Sequence, residues 1–307
     1  ISAFLPERID SRRGLGRGVP QSWSLWEEFM TRLSCIVLVV SAFTCRGWCA
    51  TPSGGCAASP PAVPPATVEV EGRVREFITV APERAENAVP HSLVVAFHGR
   101  TTPNTQVRRY FGIETASTRP TIFVYPAGWP DGDGKYSWYE RGDPGDRLRD
   151  FEFFDALIDL LAETYCIDLD RVFVVGHSLG ASFANSLACA RGSVVRGVGS
   201  VAGRVWDAPC SGPTAAMLMH NPDDDLVPVS RGIHARDNAI AQNGLDATSR
   251  VCEPASLNCR CYGSPSDADP VVWCPHGQNE THSGRFYPHL WPVGAGAAIM
   301  AFFESLP

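Results

Sequence analysis

The stretch Arg171-Val172-Phe173-Val174-Val175-Gly176-His177-Ser178-Leu179-Gly180-Ala181 constrains the fold of this chain more than any other. Val172 to Val175 are β-branched or aromatic without a break, the pattern of a strand buried on both faces of a parallel sheet. Gly176 to Gly180 follow at once and fit G-x-S-x-G, and Ser182 to Ala190 then mixes small and apolar residues at helix-compatible spacing. Strand, sharp turn and helix in that order hold a serine in a strained turn at the strand end. Glycines two residues to either side are expected there, because a Cβ would meet the neighbouring strand or helix. The helix starts at the serine, so its N-terminal amides face any negative charge that develops beside it. Ser178 is the candidate nucleophile.

The rest of the chain alternates strand and helix around this turn. Thr67 to Val80 reads as one or two edge strands, and Ser92 to Phe97 as a buried strand ending at His98-Gly99-Arg100. A short helix fits within Val107 to Ser117, and a further buried strand over Thr121 to Tyr125. Phe154, Leu157, Ile158, Leu161 and Tyr165 recur at the spacing of an amphipathic helix. Beyond the turn, strands are expected at Val194 to Val201, Ala215 to Met219 and Val271 to Trp273, with helices at Ser230 to Gln242 and Gly296 to Ser305. Such alternation predicts a mostly parallel sheet with helices on both faces. With 307 residues, 44% of them hydrophobic, one large α/β domain is favoured over two small ones. A net charge of −7 argues against a nucleic-acid partner.

The N-terminal part predicts export. Met30-Thr31-Arg32 precedes the apolar run Leu33 to Phe43, a secretory leader too short to span a bilayer as a stable helix. The expected organisation is an untranslated or extended n-region over 1–29, a leader over 30–57, a Pro-rich linker over 58–66 and a catalytic domain over 67–307. Cleavage near Ala50, Ala57 or Ala58 stays open. Beyond the leader lie Cys166, Cys189, Cys210, Cys252, Cys259, Cys261 and Cys274. That number is odd, so one thiol is free or pairs with Cys56. Disulfides are expected rather than a zinc site, since Cys259-x-Cys261 with Cys274-x-His276 lacks any C-x-x-C spacing. Asp131-Gly132-Asp133-Gly134 lacks the distal glutamate of a calcium loop. No metal and no cofactor is expected.

A serine nucleophile needs a base, and the base an orienting carboxylate. After the strand Ala215 to Met219 come His220 and then Asp223, Asp224 and Asp225, three candidate acids; His276, His282 and His289 follow as candidate bases. Phe97-His98-Gly99, the serine turn, His220-x-x-x-Asp224-x-x-Val227-Pro228 and His289-Leu290-Trp291-Pro292 together resemble secreted α/β-hydrolase esterases, the polyhydroxybutyrate depolymerase and feruloyl esterase group. The resemblance spans about Pro90 to Pro307. It implies an α/β-hydrolase fold with Ser178 as nucleophile, Asp224 as orienting acid and His289 as general base. Tyr287-Pro288 stands where that group has glycines before the histidine. Trp291-Pro292 after His289 can pin its loop, whereas His282 sits in a polar run.

Two backbone amides, those of Leu179 and Arg100, are expected to form an oxyanion hole. Ala127 to Asp150 is too long for a simple connection, and its Trp129, Trp138 and Tyr139, with Tyr110 and Phe111 upstream and His177 in the turn, are candidates for substrate contact. The expected activity is hydrolysis of carboxylic esters through an acyl-enzyme. Feruloyl or related plant-wall esters come first as substrate, and a hydroxyalkanoate polyester or a lipase or acyl-peptidase substrate is the alternative. The rival from another class is a secreted binding module that keeps the fold without catalysis.

Overall fold

The computed structural model describes residues 50–59, 61–82, 89–130, 133–138, 149–206, 209–264 and 266–307, all within the compact unit Trp48–Pro307. The expectations for residues 1–29, for the apolar run of the leader, for Tyr139 and for Asp131-Gly132 lie outside the described residues.

The expected α/β architecture is present. β1 (Thr67–Val70) and β2 (Arg73–Val80) form an antiparallel edge, joined through β4 (Thr121–Pro126) to β3 (His91–Phe97). Parallel pairing then runs from β4 through β3 to β7 (Ile167–His177), β8 (Gly197–Val201), β9 (Ala215–Met219) and β12 (Val271–Cys274). β11 (Arg260–Tyr262) and β10 (Ser249–Val251) extend the far edge antiparallel. A separate two-stranded hairpin joins β5 (Trp129–Pro130) to β6 (Tyr136–Ser137).

The strand period of two builds two cores. Leu93, Val95 and Phe97 of β3 point into one face of the sheet, and Val94 and Ala96 into the other. The first face is covered by α3 (Arg149–Thr164), α4 (Leu179–Ala190) and α5 (Val229–Gln242), through residues such as Phe154, Leu157, Phe183 and Ile240. Val107 and Phe111 of α1 (Asn104–Phe111), Ile113 of α2 (Ile113–Ala116) and Ile299 and Phe303 of α6 (Ala295–Ser305) cover the second. Both faces are therefore dry, which is why the central strands read as continuous apolar runs.

Four disulfides link the described cysteines: Cys56–Cys166, Cys189–Cys210, Cys252–Cys261 and Cys259–Cys274. The odd cysteine thus pairs with Cys56. The segment just before residue 57 therefore packs against the fold. The Ser53 amide donates to the Ile167 carbonyl at 2.8 Å, Ser53 Oγ to the Tyr165 carbonyl at 2.7 Å, and Leu169 N to the Thr51 carbonyl at 2.8 Å. A chain starting at 58 would lose this strap along the start of β7 and leave Cys166 without a partner.

The bridge joins residues 110 apart in sequence, so it restricts the unfolded chain strongly. Cys56→Ser is expected to cost about 2–5 kcal/mol. Urea unfolding of both proteins without reductant measures the loss; an unchanged midpoint would mean that the strap adds no stability.

Candidate active site

The site stands at the C-terminal ends of the parallel strands. Ser178 follows β7 directly, with φ 58° and ψ −121°, a left-handed conformation that a non-glycine residue holds only under strain. Gly176 and Gly180 make the turn possible. A Cβ on Gly176 would press into the Gly180 carbonyl, and one on Gly180 into the carbonyl of Phe97 at the end of β3. Ser178 N donates to Val201 O at 2.9 Å, fixing the turn to β8.

Three loops bring the partners together. Asp224 lies in the loop after β9, and His289 between β12 and α6. Ser178 Oγ donates to His289 Nε2 at 2.7 Å, and His289 Nδ1 donates to Asp224 Oδ2 at 2.6 Å. The other carboxylate oxygen, Oδ1, accepts from the amides of Leu226 and Val227, each at 2.9 Å. Burial pushes the Asp224 carboxyl up, but hydrogen bonds from His220, His289 and Val227 outweigh it and hold the group well below the usual carboxylate range. It therefore stays an acceptor for His289. Of the other two candidate acids, Asp223 and Asp225 are exposed. Of the other two bases, His282 is exposed on the rim and His276 is fully buried.

His220, four residues before Asp224 in the same motif, braces its carboxylate. Its Nε2–H donates to the Val227 carbonyl at 2.7 Å and lies 3.5 Å from Asp224 Oδ2. His177, expected as a substrate contact, lines the cleft and also holds a neighbouring loop. Its Nε2 donates to the backbone carbonyl of His289 at 3.2 Å, and its Nδ1 accepts from Tyr110 Oη at 2.9 Å. Since a carbonyl only accepts, the tautomer follows from these partners. Both ring nitrogens are committed to holding the His289 loop. No spacing in the sequence announces this contact, because Tyr110, His177 and His289 come from three distant segments.

The Gly99-Arg100 turn and the start of α4 both stand beside Ser178. Leu179 opens α4, so its amide has no acceptor within the helix. A Cβ placed on Gly99 would stand 3.4 Å from Ser178 Cβ and 3.9 Å from Oγ, which brings the Gly99-Arg100 turn against the nucleophile. His98 secures that turn: its Nδ1 donates to the Gly99 carbonyl at 2.7 Å, and its Nε2 accepts from Gly128 N at 2.8 Å.

Trp138 and Trp129 do not meet their expectation as substrate contacts. Trp138 is 0% exposed, stacks on Phe183 with centroids 5.4 Å apart, and donates from Nε1 to the His98 carbonyl at 2.7 Å. Its apolar bulk outweighs its place in a polar loop, and it belongs to the core. Trp129 has the guanidinium groups of Arg73, Arg75 and Arg149 at 5.1, 5.7 and 5.9 Å from its ring and does not line the cleft. The cleft at Ser178 has a volume of about 990 Å³ and includes Tyr110, Leu226, Tyr287 and Trp291 in its walls.

Three desolvated imidazoles, those of His98, His276 and the half-buried His177, set a pH dependence. Burial pushes His98 down to about 4, against its bond to the Gly99 carbonyl; it pushes His177 to about 3 and His276 to about 4. An unfolded histidine takes up its proton near ~6.5. The unfolded chain therefore binds more protons between these values, and stability falls as pH drops from about 6.5 towards 4. The Asp224 contribution has the same sign but is lost only at still lower pH. Neither nitrogen of His276 has a hydrogen-bond partner among the described residues. His276→Leu is expected to flatten the decline in Tm between pH 7 and 4.5; an unaltered slope would show that burial of His276 is not its cause.

No family model matches the chain. It is 26% identical over 279 residues to feruloyl esterase D of Neurospora crassa, covering 83% of this chain and 91% of the relative. It is 27% identical over 154 residues to poly(3-hydroxyalkanoate) depolymerase C of Paucimonas lemoignei, covering 50% of this chain and 37% of that protein. Among solved structures, the Bacillus cereus carboxylesterase superposes with a TM-score of 0.54 at 11% identity, over 75% of this chain and 93% of the other. The strained serine turn and the sheet order give an α/β-hydrolase fold, and the chain is a carboxylic ester hydrolase similar to a feruloyl esterase and a polyhydroxyalkanoate depolymerase.

Proposed function

We propose that Ser178 attacks the ester carbonyl while His289 Nε2 takes its proton and Asp224 holds the imidazole in register. The single observation that carries this reading is the hydrogen-bonded line Ser178 Oγ, His289, Asp224 at 2.7 and 2.6 Å. The tetrahedral oxyanion then lies against the amides of Leu179 and Arg100. His289 returns the proton to the departing alcohol, and water enters by the same route to release the acid. All of these groups lie within 67–307, the proposed catalytic domain.

A feruloyl or related plant-wall ester is the first choice of substrate. The relative covered over 91% of its length bears the feruloyl esterase name, and the open cleft suits a substrate attached to a polymer. A hydroxyalkanoate polyester is the second reading, favoured by the depolymerase relative. Export fits the four disulfides, and no helix among the described residues is long and apolar enough to cross a membrane.

Ser178→Ala is expected to lower kcat on methyl ferulate by at least ~10³-fold, His289→Ala by a similar factor, and the double variant little further, because the two act as one unit. Retained turnover in Ser178→Ala would exclude the serine mechanism. A panel of methyl ferulate, acetylated xylan, hydroxybutyrate oligomers and tributyrin ranks the substrates. A higher kcat/KM on hydroxybutyrate oligomers than on methyl ferulate would reverse the choice.

A further inference from the structure

The base is held from its main chain as well as from its ring. Asp224 accepts from Nδ1 of His289, and a ring held at that one nitrogen can still pivot about the bond. The carbonyl of the same residue accepts from His177 Nε2 at 3.2 Å, so the backbone from which the ring hangs is fixed too. Together the two grips hold Nε2 against Ser178 Oγ at 2.7 Å.

The main-chain grip works only while His177 carries its proton on Nε2. Tyr110 secures that arrangement. Its hydroxyl donates to Nδ1 at 2.9 Å, which leaves Nδ1 the acceptor and Nε2 the donor. In the other tautomer a lone pair on Nε2 would face the carbonyl oxygen. The titratable groups around the ring are Tyr110, His289, Asp224 and His276. Desolvation pushes the His177 imidazole down to about 3, and the neighbouring His289 acts in the same direction, so near neutral pH it is uncharged. The two ring centroids are 5.3 Å apart. An uncharged His177 offers no charge repulsion to the imidazolium that forms when His289 takes the serine proton.

Tyr110 is itself firmly placed. It is the next to last residue of α1, whose first residue, Asn104, donates from Nδ2 to the Tyr125 carbonyl of β4 at 3.0 Å. The last residue of the helix, Phe111, is buried and stacks on Trp291 at 4.0 Å. Trp291, two residues past His289, also meets the rings of Tyr110 and His177 edge-on, each at 6.1 Å.

We propose that Tyr110 is a positioning residue for the general base: through His177 it sets the backbone of His289, and thereby the alignment of Nε2 with Ser178 Oγ. This rests on the serine-hydrolase reading of the site. A group that acts on alignment alone changes the chemical step and leaves ground-state binding nearly as it was. Both half-reactions pass through His289, so kcat reports its alignment whichever of them limits the rate. Tyr110 also lines the cleft. Direct contact with the substrate is therefore the rival role, and it would act without His177.

The test is a double-variant cycle read on 4-nitrophenyl acetate and methyl ferulate. Tyr110→Phe keeps the ring in the cleft wall and removes only the hydroxyl. It is expected to lower kcat about tenfold, with KM within about twofold of the parent. His177→Leu is expected to lower kcat about 10²-fold, and adding Tyr110→Phe to it should change little further. His177→Gln, which keeps an N–H donor at the reach of Nε2, should recover most of that loss. The rate at which diethyl 4-nitrophenyl phosphate labels Ser178 reads the same alignment without turnover and should fall in parallel with kcat. An unchanged kcat in Tyr110→Phe overturns the proposal. So does a loss carried by KM, or one that adds in full to that of His177→Leu. Should His177→Leu fail to fold, Tyr110→Phe decides alone, since parent-like labelling of Ser178 in that variant overturns the proposal. Failure of the serine reading shows separately, as turnover retained in Ser178→Ala.

Discussion

The strained backbone at Ser178 is the constraint on which the rest of the site depends. A non-glycine residue in this conformation costs on the order of 1–3 kcal/mol, and it persists only where its surroundings leave no alternative. Here β7 arrives from one side and α4 leaves from the other. Gly176 and Gly180 let the two backbones pass at a separation no side chain would tolerate, and the bond from Ser178 N to Val201 O closes the remaining freedom. The dry sheet beneath supplies the stabilisation, since Val172 to Val175 are completely buried. In return, the serine side chain stands clear of the sheet and the Leu179 amide opens the helix beside it.

The Gly99-Arg100 turn depends on a second arrangement, a chain of buried polar groups. Asp150 at the start of α3 pairs with Arg75 of β2 at 2.9 Å, both almost wholly buried. The Arg75 guanidinium donates to the Ala127 carbonyl at 3.3 Å and packs over Phe153 at 4.0 Å. Gly128, the next residue, donates to His98, and His98 donates to the Gly99 carbonyl. Burying an ion pair does little for net stability, but the pair fixes the loop that receives the His98 ring. A neutral His98 suits this role, because its two nitrogens must accept on one side and donate on the other.

Much of this was legible before any coordinates. Dry central strands read as unbroken apolar runs, and the serine turn carries its own steric demand for glycine, so the fold and Ser178 could be read from local pattern. Asp224 and His289 were legible only through a set of motifs in order, since Asp223, Asp225, His276 and His282 have equal chemical claims. Tertiary packing sets them apart: two backbone amides converge on Asp224 Oδ1, and the ring of His276 is sealed in the interior. Trp129 and Trp138 misled for a related reason. They lie in a polar, Gly-rich loop, yet the large apolar surface of one found the core and the face of the other found arginines. β10 and β11 are short and polar, and no period announces them.

Those two strands show how cross-links substitute for core at the far edge of the sheet. β10 and β11 offer three residues each, too few to hold an antiparallel edge by burial alone. Cys252–Cys261 ties the pair together, and Cys259–Cys274 ties it to the end of β12. Cys274 is the last residue before the loop that carries His276, Gln278, His282 and His289. Anchoring there fixes where that loop departs; Trp291, stacked on Phe111 at 4.0 Å, fixes where it returns to α6. His289 is thus held from both ends as well as through its side chain. Its backbone carbonyl, gripped by His177, and its ring, gripped by Asp224, cannot turn independently. The polar stretch between is tied to the loop of Asp224 as well, because Asn221 Nδ2 donates to the Gln278 carbonyl at 2.8 Å and to Asn279 Oδ1 at 2.6 Å.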